Sequence, residues 1–138
     1  SERRTTGKLD RGAKLIIRER ILTAGNEWAK TTFDVALDGE DCSADVVSRS
    51  VAKGESYQEF ISSIHGNNRC YGHSSCDAIL AEHGRVNAQP ALEAAHLDAQ
   101  LIHEAAIGKI AGEQLLKLQT LGLTAEQAEE RIIEGFLK

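Results

Sequence analysis

At 138 residues, 41% hydrophobic and with a net charge of -5, the chain is long and apolar enough for one folded domain, which excludes a disordered polypeptide. Its basic residues gather only at Arg3-Arg4 and between Lys14 and Arg20, alongside Glu19, too weak a patch for a nucleic-acid or phosphate-binding face. No apolar run approaches the ~20 residues that cross a bilayer, and the expectation is a soluble, cytoplasmic protein.

Residues 1–12 are polar, charged and without periodicity, and are expected to form a frayed N-terminal segment. From Ala13 onward, apolar residues alternate in short runs: Phe33, Val35, Leu37; then Val47, Arg49, Val51; then Tyr57, Glu59, Ile61, Ser63. Period two predicts half-buried strands. The runs are punctuated by Asp38-Gly39, Lys53-Gly54, His65-Gly66 and His83-Gly84, which read as turns supplying positive φ. Many short strands, a single proline and only 4% aromatics favour stacked coils over a thick-cored sandwich. Small residues such as Ser48, Ser50, Ser62 and Ser74 fit such coils. The prediction is mainly β, a right-handed parallel β-helix (a solenoid) over residues 13–105.

After Ala105 the spacing becomes helical, through Ile107, Ile110, Leu115, Leu118 and Leu121. Gly122 stands where a helix end wants a left-handed residue. Thr124 with Gln127 reads as a capping box for a second helix with the stripe Ala128, Ile132, Ile133 and Phe136. Residues 106–138 are therefore expected to be a C-terminal α-helical hairpin. Its narrow apolar faces need burial, against the solenoid end or a partner protein.

Three cysteines, Cys42, Cys70 and Cys76, make an odd and sparse set. That excludes a secreted disulfide framework and points to a reducing compartment. The chain begins at Ser1 and contains no methionine, and it reads as an excised fragment. Thiol, imidazole and carboxylate side chains at Cys76, His103 and Glu104 are the ligand types of iron, zinc and sulfur chemistry. The simpler reading of Cys76 is a small buried hydrophobe, and of His103-Glu104 a surface strand end. Cys70-x-x-His73-x-x-Cys76 with His83 imitates a zinc site, but on one extended strand His73 faces away from both cysteines. A thiol hydrolase built on Cys76, His103 and Asp77 lacks a helix N-terminus or glycine elbow beside its nucleophile. His65 and His96 read as turn or surface residues.

Several blocks in order resemble the C-terminal part of the SufB/SufD family of iron–sulfur cluster assembly scaffolds. They are Cys76-Asp77-Ala78-Ile79-Leu80, Pro90-Ala91-Leu92-Glu93, Leu101-Ile102-His103-Glu104-Ala105, Gly108-Lys109-Ile110 with Glu113-Gln114-Leu115, and Gly122-Leu123-Thr124 with Gly135-Phe136. The resemblance implies a non-enzymatic scaffold that builds and transfers a transient iron–sulfur cluster with a SufC-like ABC ATPase docked on the helical segment. It implies pairing through the β-helix, as a homodimer or with a paralogue, and cluster and metal contacts at Cys76, His103 and Glu104. Ile102 stands where SufB proteins usually carry Glu, while Glu104 is a residue SufD proteins often lack. His103 and Glu104 should point to opposite faces of a regular strand. Cys76 and His103 lie 27 residues apart, like Gly39 and Gly66, so one coil should separate them, with the thiol at least partly reachable beside the dimer contact. The alternative function is a non-catalytic β-helix interaction module with no cluster of its own. A polysaccharide-active β-helix ranks last, because it would need aromatic platforms and Trp28 is the one tryptophan.

Overall fold

The computed structural model describes residues 1–138. Eight strands run in sequence: β1 (Glu2–Leu9), β2 (Lys14–Thr23), β3 (Trp28–Leu37), β4 (Cys42–Ala52), β5 (Tyr57–Gly66), β6 (Cys70–Leu80), β7 (Arg85–Ala94) and β8 (Ala99–Lys109). Helices α1 (Gly112–Gln119) and α2 (Ala125–Leu137) follow. Odd strands form one parallel sheet, β1-β3-β5-β7, and even strands another, β2-β4-β6-β8. Each pair of consecutive strands is one coil, and the four coils stack into a parallel β-helix with a two-sheet cross-section. In-register partners lie 28 or 29 residues apart, as in Glu2 with Lys30 and Lys14 with Ser43.

The stacking explains why small residues are tolerated inside. Backbone hydrogen bonds run from coil to coil, so each interior position has only to match its neighbour above and below. One interior cluster is apolar: Leu9, Val35, Leu37, Cys42, Ala44, Ile64 and Cys70. The next along the strands is Phe33, Val46, Phe60 and Cys76, with the two phenyl rings 5.8 Å apart. At the far end the interior is polar, where Gln58 donates to Thr23 and to the Val51 carbonyl, and Thr23 donates to Ser56. Ser48, Ser50, Ser62 and Ser74 are buried, as a solenoid interior allows.

Three expectations change. Residues 1–12 are not frayed: Glu2–Leu9 is a strand, because every residue of it finds an in-register parallel partner on β3. The solenoid extends past residue 105 to Lys109, which places Ile107 on a strand rather than a helix. Of the four expected turn glycines only Gly54 has positive φ, at 64°. Gly84 serves a steric purpose instead, since a Cβ there would fall 2.0 Å from the Ala52 carbonyl oxygen of the preceding coil.

The helical hairpin does not cap the solenoid end. α2 lies against β4, burying Ala128 and Ile133, and Glu129 pairs with Lys53 at 3.4 Å. Its capping box is present, with the Thr124 hydroxyl accepting from the Gln127 amide and the Gln127 side chain accepting from the Thr124 amide. Gly122 is left-handed, as expected (φ 95°). α1 buries no residue, and Leu116 and Leu121 stand exposed.

Candidate functional site

Strand parity decides where each side chain points. Cys76 lies on the inner face of β6, in register with Ser48 of β4 and Ala105 of β8. His103 lies on the inner face of β8, in register with Ser74. The two therefore face the same interior from adjoining coils, two residues out of step. With strands ~4.8 Å apart and ~3.3 Å per residue, their backbones are about 8 Å from each other. The 27-residue spacing falls short of the true period of 28 or 29, and that accounts for the diagonal placement.

Cys76 is fully buried, as the simpler reading of a small hydrophobe has it, and this overturns the expectation of a partly reachable thiol. It packs with Phe33, Val46 and Phe60. Burial, aided by the negative charges of Asp77 and Glu19, pushes its thiol up to about 11. His103 is half-buried on the terminal coil, and its Nδ1 is buried without a hydrogen-bond partner. Burial holds its imidazole below the ordinary histidine range, as does the nearby charge of His73, against the opposing pull of Glu104. An orphaned ring nitrogen on a neutral imidazole is available as a donor to a metal.

Glu104 does not join them. It sits on the outer face, one residue on from His103, with its side chain 69% exposed. Its carboxylate lies 3.5 Å from His73 Nε2, and His73 Nδ1 lies 2.6 Å from Asp45 Oδ1. The Asp45 hydrogen bond is the main reason the His73 imidazole is raised above its ordinary value. No group of three or more His, Cys, Asp or Glu side chains converges as a metal site within this chain. The expected trio is thus an inward pair, Cys76 and His103, and an outward carboxylate, Glu104. The zinc-like pattern also separates, because Cys70 and Cys76 point inward and His73 outward.

Sequence reasoning passed over Glu19 as a mere neighbour of basic residues. Glu19 is 5% exposed and inward-facing, accepts from Ser48 at 3.2 Å, and pairs with Arg3 at 2.9 Å. It heads the interior column Glu19–Ser48–Cys76. Reading the chain at a 28- or 29-residue period would have exposed that column. His65 is likewise no idle surface residue: it lies between Asp34 at 3.3 Å and Glu93 at 3.2 Å.

A parallel β-helix with an inward cysteine–histidine pair near its last coil and a second helix laid against one sheet defines a β-solenoid protein. Residues 4–136 match the family model for the SufBD core domain of the SUF system for iron–sulfur cluster assembly. The chain belongs to the SufBD family. An iron–sulfur cluster assembly SufBD family protein of Archaeoglobus fulgidus is 31% identical over 134 residues, covering 96% of this chain and 36% of the relative. One from Methanothermobacter thermautotrophicus is 38% identical over 107 residues, covering 75% of this chain and 26% of the relative. A third, from Pyrococcus horikoshii, is 44% identical over 68 residues, or 49% of this chain and 15% of the relative. The chain spans little more than a third of the first relative and a quarter of the second. No helix is long and apolar enough to cross a membrane.

Proposed function

We propose that this chain is a non-enzymatic scaffold in iron–sulfur cluster assembly, contributing Cys76 and His103 as contacts for a transient cluster. The observation that carries the reading is their placement, facing one interior from adjoining coils, with an unpartnered His103 Nδ1. Thiolate is the preferred protein ligand of such clusters, and imidazole can replace it at one iron. Two protein ligands suit a cargo that must leave. The thiol must deprotonate to bind iron, and burial opposes that, so loading requires the terminal coil to part or a second chain to rearrange it.

β7 and β8 end the two sheets, with no strand beyond them. This coil is the surface for a homodimer or a paralogue, which would cover unpaired backbone groups. Glu104, on the outer face, serves across that contact rather than beside Cys76. The barely buried α1 is the docking element for a SufC-like ABC ATPase, in the cytoplasm.

A second reading is supported by one observation: a fully buried Cys76 with its thiol raised to about 11 behaves as an inert core residue. The chain would then be an interaction module only. Anaerobic reconstitution with ferrous iron and sulfide separates the two. The scaffold reading expects iron and cluster absorption in the wild type, none in Cys76→Ala, and a weaker yield in His103→Ala. A folded wild type that retains no iron supports the interaction module.

A further inference from the structure

The fold assembles a basic cleft that the sequence keeps apart. Arg18 and Arg20 lie on the outer face of β2, and Arg49 of β4 is the in-register partner of Arg20. All three are exposed and none forms an ion pair within the chain. They line a cleft of about 390 Å³ whose other walls include Val47, Glu19 and Asp45. Lys138 closes one side of it.

Of the two carboxylic residues in its walls, Glu19 turns its carboxylate inward, away from the cleft, and neither pairs with the three arginines. Glu19 is engaged by Arg3 and Ser48, and Asp45 by His73. Like charges directly opposite on neighbouring strands destabilise a sheet, yet Arg20 and Arg49 are so placed in a chain of net charge -5. A multiply charged anion seated between them would offset that cost.

We infer that this cleft binds a small, multiply charged phosphate-bearing anion. The spacing favours a compact anion over an extended acidic peptide. In-register strands place Arg20 and Arg49 about 4.8 Å apart at the backbone, and Arg18 is about 6.6 Å from Arg20 along its strand. From backbone positions in so small a triangle, three guanidinium groups can reach one centre of charge, whereas an extended peptide distributes its carboxylates along a line. Planar guanidinium forks match phosphate oxygens in pairs. The site lies on the outer face of the first two coils, whereas Cys76 faces inward from the third, and the inference is independent of the cluster reading.

Inorganic pyrophosphate is the probe. Titrated at low ionic strength into the 138-residue chain, it is expected to give saturable shifts of the Nε–Hε NMR signals of Arg18, Arg20 and Arg49. The Arg20→Gln/Arg49→Gln double variant should bind at least tenfold more weakly, while Arg131→Gln, on α2 and outside the cleft lining, binds as wild type. The double variant should melt no lower than wild type, because a like-charge pair has been removed. Absence of saturable shifts, unchanged affinity in the double variant, or tighter binding of a hexaglutamate peptide than of pyrophosphate would each overturn the inference.

Discussion

Burial acts on Cys76 and His103 through their charged forms. It keeps the thiol protonated, at about 11, and the imidazole neutral, lowered from its ordinary value. All three cysteines are buried, and the thiolate is the reactive form. Iodoacetamide at pH 8 should therefore leave the native chain unlabelled and modify all three cysteines once denaturant is added; rapid native labelling of Cys76 would show an open interior.

His73 shifts the other way, because its Nδ1 is bonded to Asp45. In an NMR pH titration it should titrate above His103, and Asp45→Asn should lower it. A raised folded-state value stabilises the fold below the unfolded histidine pKa, and that contribution is lost as pH rises through the folded value. Asp45→Asn should thus destabilise more at pH 6 than at pH 9. Equal losses at both would sever the pair from stability.

Pattern alone made the inward pair partly legible. Parity placed His103 and Glu104 on opposite faces, as β8 has them. Burial of Cys76 agrees with its simpler reading as a small hydrophobe, whereas the partners that bury it, Phe33 and Phe60 arriving from the other sheet, lie beyond any local pattern.

At the scale of elements, each turn and cap has its own test. Gly84→Ala puts a methyl group 2.0 Å from the Ala52 carbonyl oxygen, and should cost at least about 2 kcal/mol in chemical denaturation. Gly108→Ala meets nothing within 4 Å and should be nearly neutral. Comparable effects at the two positions would refute the close approach of coils. Thr124→Ala removes the hydroxyl that accepts from the Gln127 amide, and should cost about 1 kcal/mol.

The capping box and Gly122 were readable because they are local signals, complete within a few residues. β1 was not, since Glu2–Leu9 carries no alternation and is held by its partners on β3. The alternation does not say which face of β4 turns inward: Val47 and Arg49 lie on its outer side, as does Val51, which is nevertheless fully buried, whereas Val46, Ser48 and Ser50 point inward. A strand whose inner face holds serines cannot be oriented by hydrophobicity. The coil period of 28 or 29 supplies what the alternation lacks.

At the scale of the whole molecule, the last coil has no strand paired beyond β7 and β8 and leaves Leu92 and Ile102 exposed. Pairing through that coil predicts concentration-dependent association in light scattering, and Ile102→Glu should abolish it. A chain that stays monomeric at high concentration would leave the terminal coil without a partner of its own kind.

The central claim is that Cys76 and His103 together contact the cluster. Pulsed EPR of the anaerobically reconstituted and reduced chain tests it most directly. The expected spectrum carries histidine nitrogen coupling that disappears in His103→Ala, and no cluster signal forms in Cys76→Ala. A cluster signal without nitrogen coupling, or one that survives unchanged in Cys76→Ala, would contradict the assignment.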